Sequence, residues 1–184
     1  MRTLKLQLQI TVDGYMATPD GQMDWVSHNW SDDLNHYVGA LTNTVDCILL
    51  GRKLAEGFIP YWAANPTQPG AEVFNNTHKV VFSRTLTTST WPNTTLATGP
   101  LADEVLALKH ATGGDMIAYG GSSFVAALIQ HQLVDEFFLF VNPTAIGRGA
   151  SPFQALTAYQ PLKLVDARKF DCGMVVMHYM LPRA

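Results

Sequence analysis

At 184 residues with 47% apolar and 15% charged side chains, the chain has an ordinary globular composition and length enough for one domain, expected to span 1–184. Its formal charge of −3, with basic residues in runs of no more than two, excludes the electrostatic footprint of a nucleic-acid or anionic-membrane binder. Two isolated cysteines, Cys47 and Cys172, behind an N-terminus with no apolar signal region point to a reducing, cytoplasmic setting. No stretch approaches the roughly 18 apolar residues of a membrane span.

Leu4, Leu6, Leu8 and Ile10 alternate with Lys5, Gln7, Gln9 and Thr11, the period of a β-strand. An irregular segment follows from Asp13 to Trp30, with turn dipeptides at Asp13-Gly14 and Asp20-Gly21. Ser31, with Asp32 and Asp33 behind it, predicts a capped helix start, and that helix is expected to run to about Asn43. "VDCILLG" predicts a buried strand and "RKLAEGF" a short helix directly after Gly51, ending in a Pro60–Gly70 loop.

"KVVFS" (Lys79–Ser83) and "TTLAT" predict two further strands, and Leu101–Ala111 a helix with Leu101, Val105 and Leu108 on one face. Next come a strand in "DMIAYG", a helix over Ser123–Gln132 capped by Ser122 and Ser123, and a strand in "VDEFFLFVNP". "PLKLVDARKF" and "CGMVVMHYML" predict an antiparallel hairpin turning at Asp171–Gly173. Strands alternating with helices argue an α/β fold on a largely parallel sheet, with antiparallel strands added at one edge. In such sheets ligands bind beyond the carboxyl ends of the strands.

Three strand-end junctions could hold a phosphorylated ligand. At Gly120-Gly121 bare backbone meets the start of a helix, whose unpaired N–H groups suit a phosphate; a simple tight turn accounts for the pattern equally well. Arg52 and Lys53 stand at a helix start, where a cation is disfavoured unless an anion binds there. The competing account is an Arg52–Glu56 ion pair at i,i+4. Ser83 and Arg84 follow a strand and offer a hydroxyl and a guanidinium fork, the usual recogniser of a phosphate monoester.

The ordered pieces "TVDGYMA…GQMDW", "DCILLGRKLAEGF", "KVVFSRTL" and "GGDMIAYGGSSFVAALIQHQLVDEFFLFVNPTAIGRG" resemble the dihydrofolate-reductase-like superfamily. Within it they are most similar to the C-terminal reductase domain of the bacterial bifunctional deaminase–reductase of riboflavin biosynthesis. The resemblance covers Leu4 to Tyr179 and implies a three-layer α/β/α sandwich with a central mixed sheet and a C-terminal antiparallel hairpin. It also implies an NADPH-dependent reductase of a small pyrimidine- or pteridine-like heterocycle, similar to 5-amino-6-(5-phosphoribosylamino)uracil reductase. By this similarity Gly51, Arg52 and Leu54 lie against the diphosphate and adenosine of NADPH, and Ser83 and Arg84 at its 2′-phosphate. Gly120, Gly121, Ser122, Ser123 and Phe124 cradle the diphosphate. Related domains commonly dimerise, so a homodimer is expected.

At the substrate end the resemblance places the nicotinamide under the Asp13–Trp25 loop. Asp13 and Asp24 are the candidate acids, with turn chemistry before Gly14 the favoured account of Asp13. Trp25, Trp30 and Tyr61 are candidates for covering a flat ring, and core packing explains the last two equally well. Trp30 stands near the place where a true dihydrofolate reductase carries its pterin-holding acid. A phosphoribosyl substrate calls for basic groups, and beyond Arg52 and Arg84 only Lys5, Lys53 and Arg148 remain for it. The H-x-E and P-C-x-x-C zinc signature of the deaminase is absent, and the six histidines form no i,i+4 pair, so no metal is expected. The rival to a reductase is a non-catalytic nucleotide-binding module on the same fold.

Overall fold

The leucines of the first alternating segment pack one sheet face, and of the polar residues between them Lys5, Gln7 and Thr11 are buried as well, because this strand lies in mid-sheet. In the computed structural model, which describes residues 1–182, it is β1 (Leu4–Thr11), followed by α1 (Asp32–Thr42), β2 (Val45–Gly51), α2 (Arg52–Ala64), α3 (Ala71–Asn76) and β3 (His78–Phe82). Then come β4 (Thr94–Ala97), α4 (Leu101–His110), β5 (Asp115–Ala118), α5 (Ser122–Gln130), β6 (Glu136–Asn142), β7 (Lys163–Lys169) and β8 (Val175–Met180). The eight strands form one mixed sheet in the order β4-β3-β2-β5-β1-β6-β8-β7. β1 to β6 pair in parallel, while β8 runs antiparallel to both β6 and β7.

Helices cover both faces. Leu4, Leu6, Leu8 and Ile10 pack with Val105 of α4 and with Val125, Leu128 and Ile129 of α5. On the opposite face α1 packs on Phe138 and Phe140, and α2 and α3 pack on Ile48, Leu50, Val81 and Ile117. The layers are therefore helix, sheet, helix. The terminal hairpin turns where expected: Gly173 adopts φ 86°, and its N–H donates to the Phe170 carbonyl at 2.9 Å.

Two helices depart from the sequence reading. α2 does not end before Pro60 but continues to Ala64. A proline inside a helix costs about 3 kcal/mol, and here its ring faces solvent while the residues around it pack inward. Phe58 lies 5.1 Å from the Phe74 ring and Trp62 stacks on Phe74 at 5.6 Å. The helix α3, too short for a periodic signal, was not foreseen in the sequence. Lys79, only 1% exposed, helps to hold its end: the ammonium donates to the carbonyls of Asn75 (3.1 Å) and Thr77 (2.7 Å).

Neither serine cap forms as expected. Ser31 has an extended backbone at the start of α1, but its hydroxyl donates to the Asp33 carboxylate at 2.5 Å instead of capping a free N–H. The same oxygen accepts the Cys172 N–H at 3.2 Å, fastening α1 to the hairpin turn. At α5 the capping position belongs to Gly121, with Ser122 already the first helical residue.

Lys5 is the buried cation of the central strand. Its ammonium donates to the Leu41 carbonyl and Thr44 hydroxyl, each at 3.0 Å, and lies 2.8 Å from the Asp115 carboxylate. Burial pushes the Asp115 pKa up, but hydrogen bonds from Lys5 and Thr44 and the Lys5 charge outweigh it and leave the value below 3.8. A carboxylate with a lowered folded-state pKa stabilises the fold above its unfolded value, and that contribution disappears as pH falls through the lowered value. We therefore expect the melting temperature to fall on acidification below about pH 4. Lys5→Met, which leaves a partly buried carboxylate without its cation, should cost about 3 kcal/mol in chemical denaturation at neutral pH. A melting temperature unchanged by that substitution would refute the assignment.

Candidate functional site

The strand order sets β3, β2 and β5 side by side and parallel, so their carboxyl ends bring three chain junctions into one row. At the middle one β2 passes directly into α2 at Gly51, whose backbone is ordinarily extended (φ −72°, ψ 146°). Glycine is required there for space and not for conformational freedom. A Cβ on Gly51 would lie 2.8 Å from the Phe124 Cβ, in the first turn of α5.

Leu54 completes the contact. A Cβ on Gly120 would find Leu54 Cδ2 at 3.7 Å, and one on Gly121 would find Leu54 and Phe124 Cβ, each at 3.8 Å. Phe82, at the end of β3, packs its ring 5.0 Å from that of Phe124. Gly51, Leu54, Gly120, Gly121 and Phe124 thus form one patch.

Gly121 adopts φ 86° and turns the chain so that α5 starts over this patch. The first-turn N–H groups of a helix lack carbonyl partners, and the Ser122 and Ser123 hydroxyls make no hydrogen bond among the described residues. These are the elements that a dinucleotide phosphate requires: bare backbone, free N–H donors and hydroxyls. The residues present fit that group.

The remaining cofactor candidates are differently placed. Ser83 is 6% exposed, and its oxygen accepts the N–H groups of Thr85 (3.2 Å) and Leu86 (2.9 Å), which shapes the turn after β3 and leaves its own proton to donate. Arg84 is exposed in that turn and forms no ion pair among the described residues. Arg52 meets Glu56 at 2.6 Å, the i,i+4 pair the sequence allowed.

Asp13 sits at the end of β1 as an acceptor. Its carboxylate takes the N–H of Gly147 at 2.6 Å and of Ile146 at 3.2 Å, and the Thr11 hydroxyl, foremost, with these bonds holds its pKa below the ordinary range. An exposed, ionised carboxylate at neutral pH ties two loops together and is no proton donor. The same strap continues through Met16 N–H to Ala150 O (2.9 Å) and Ala150 N–H to Ala17 O (2.9 Å). Gly149 permits it, since a Cβ there would fall 2.1 Å from the Ala17 carbonyl oxygen.

Asp24 is exposed on the loop, and Trp25 is half-buried with an indole N–H that finds no partner among the described residues. The expected grouping of Trp30 with Tyr61 is not formed. Trp30 stacks on Phe140 at 6.2 Å and donates to the Ser27 carbonyl at 3.1 Å, as part of the α1 packing. Tyr61 is 50% exposed on α2, nine residues beyond Arg52 and hence about 14 Å down the helix from the junction row.

Sequence reasoning passed over Asn142, which is fully buried at the end of β6. It donates to Gln9 Oε1 at 2.9 Å and to the Phe140 carbonyl at 3.1 Å, and accepts the Ser27 N–H at 3.1 Å. The loop is thereby hung from the two central strands. The only hint was an asparagine closing an apolar strand before Pro143. Two shallow depressions, of about 560 and 610 Å³, lie at the amino-terminal end of the strands, away from the junctions. Among the described residues no cluster of three or more His, Cys, Asp or Glu could hold a metal, and no helix is long and apolar enough to cross a membrane.

The family described as the RibD C-terminal domain matches residues 2–176. The uncharacterized protein YyaP of Bacillus subtilis (strain 168) is 30% identical over 183 residues, covering 97% of this chain and 94% of its own. Among solved structures, the diaminohydroxyphosphoribosylaminopyrimidine deaminase/5-amino-6-(5-phosphoribosylamino)uracil reductase of Thermotoga maritima superposes with a TM-score of 0.72 at 18% identity. The match spans 98% of this chain and 57% of that one. Dihydrofolate reductase from Enterococcus faecalis, complexed with NADP(H) and RAB-propyl, gives a TM-score of 0.67 at 16% identity over 98% and 97% of the two chains. The fold is dihydrofolate-reductase-like.

Gly51→Ala tests the patch directly. Because its backbone accepts any residue, the substitution should act by overpacking against Phe124 alone and cost about 1–3 kcal/mol in urea denaturation. A neutral effect would show that β2 and α5 are not in contact there.

Proposed function

The chain belongs to the RibD C-terminal domain family, and on that premise we propose that it is an NADPH-dependent reductase of a small pyrimidine- or pteridine-like heterocycle. The observation that carries the proposal is the contact patch of Gly51, Leu54, Gly120, Gly121 and Phe124, which sets open backbone and the α5 N-terminus at one point. In this reading the patch, with the Ser122 and Ser123 hydroxyls, holds the diphosphate and adenosine. Arg84, without an ion pair among the described residues, and the unspent proton of Ser83 take the 2′-phosphate, with Arg52 alongside.

NADPH, when bound, supplies the hydride; the protein positions both reactants and excludes water. The heterocycle lies beside the end of β1, under the loop that Asn142 and Asp13 hold down, with Trp25 against its plane. Since Asp13 is occupied as an acceptor, Asp24 or solvent delivers the proton. That occupation also favours the second reading, a nucleotide-binding module without turnover. A homodimer would form through the terminal hairpin, where all of β7 is exposed, including Leu164 (53%) and Val165 (47%). A cytoplasmic location agrees with the free thiols of Cys47 and Cys172.

A thermal-shift titration with NADPH and NADH tests the reading. At about a hundred times its dissociation constant a ligand stabilises by roughly 2.7 kcal/mol, so NADPH should raise the melting temperature clearly and NADH little. Arg84→Ala should weaken NADPH about tenfold, the scale of one lost charge-assisted contact, and leave NADH nearly unchanged. No shift with either nucleotide at millimolar concentration would overturn the cofactor site. Oxidation of NADPH by a heterocycle then separates the reductase from the binding module.

A further inference from the structure

On the sheet face beneath α1, α2 and α3 the apolar packing is split. Leu34, Phe138, Phe140 and Phe170 belong to one cluster, while Ile48, Leu50, Ile59 and Phe74 belong to another. β1 runs between them and presents its polar residues, Lys5, Gln7 and Gln9, to this face. Lys5 is spent on Leu41, Thr44 and Asp115, and Gln9 is paired with Asn142. Gln7 stands between them at 7% exposure, and its side-chain carbonyl oxygen is buried without a hydrogen-bond partner among the described residues.

Buried acceptors are almost always satisfied, and an orphan is a liability unless something else fills the gap. The position of Gln7 says where that something lies. Pairing of β1 with β5 ends at Leu6 opposite Ala118, whereas pairing with β6 continues to Thr11. Gln7 therefore has Phe138 on one side, and on the other the point where the chain leaves the sheet at Tyr119 for Gly120 and the phosphate patch. β1 joins β2 through α1 on this face, and β5 joins β6 through α5 on the opposite face. Neighbouring strands whose connections leave on opposite faces define a binding crevice.

The charges around the crevice restrict its occupant. Lys5, on the same strand and face as Gln7, is neutralised by Asp115, and Arg52, at the carboxyl end of β2, by Glu56. Burial pushes the Tyr119 pKa up from 10.0, so the phenol that follows β5, packed against Phe58 and Phe74, stays neutral. Resting on the reductase reading, we propose that Gln7 is the specificity-determining residue of the substrate pocket. Its side-chain carbonyl accepts a ring N–H of a neutral, unphosphorylated, lactam-type nitrogen heterocycle. A carbonyl reads such a donor without calling for charge, and a phosphoryl group at this point would find Lys5, the neighbouring cation of β1, already engaged by Asp115.

The test uses the full chain with NADP⁺ and a neutral panel of uracil, 5-aminouracil, pterin and lumazine, the last followed by its fluorescence. Uridine 5′-monophosphate serves as the phosphorylated comparison. Lumazine should bind, and Gln7→Leu should weaken it at least tenfold, the size of one buried hydrogen bond lost, with the NADPH shift unchanged. The apoprotein of that variant should melt no lower than the wild type, and up to about 4 °C higher, because an orphan acceptor has been removed. Should Leu impair folding, Gln7→Met repeats the measurement with an unbranched side chain.

A lower melting temperature with unchanged lumazine binding would make Gln7 merely structural and overturn the proposal. So would failure of the whole neutral panel alongside a normal NADPH shift, which would leave the cofactor reading standing. Tighter binding of uridine monophosphate than of uracil would overturn the unphosphorylated class. Lumazine binding that depends on Gln7 without any NADPH shift would support the pocket and defeat the reductase reading.

Discussion

The site depends on the parting of two neighbouring strands. β1 and β5 are hydrogen-bonded only through Leu6 and Ala118, and beyond them β1 keeps β6 as its partner while the other chain turns away through Gly120 and Gly121. A parallel sheet normally closes itself strand against strand. Here the central pair is released part-way, just where connections leave on opposite faces, so the opening is built into the topology. The junction patch lies on one side of that opening and the amide row of β1 on the other.

The architecture was readable because its signals are local and repeated. Alternation at Leu4–Thr11, the apolar runs of β2 and β6 and the turn at Gly173 each carry a period or a breaker that tertiary packing has little reason to overrule. The misreadings arose where packing did overrule the local signal. Pro60 is a helix breaker in isolation, but Phe58, Ile59 and Trp62 bury enough ring and aliphatic surface to carry α2 past it. Ser31 has the chemistry of a cap, yet its hydroxyl is drawn to Asp33 and to Cys172, a residue 141 positions away that no local pattern foretells.

The phosphate side of the site was more legible than the substrate side for a related reason. Glycines at strand ends leave a mark in sequence whatever surrounds them, and Gly51, Gly120 and Gly121 meet in space because their strands are neighbours. Trp30 and Tyr61, in contrast, were grouped by residue type alone, and the fold packs Trp30, in the loop before α1, on Phe140 while Tyr61 stands exposed on α2. Gln7 and Asn142 carry no motif. Their meaning lies in which neighbours they have or lack, a property of the assembled sheet.

The unequal packing of the two faces has a mechanical consequence. Beneath α4 and α5 one apolar cluster runs without a break from Ala97 of β4 across the centre to Leu139 of β6, so that layer binds the strands into a single plate. The opposite layer is two separate pieces with amides along the seam, so no apolar cluster joins them across β1. The molecule is bound like a book, with one unbroken spine of apolar side chains on one side and two separate covers on the other.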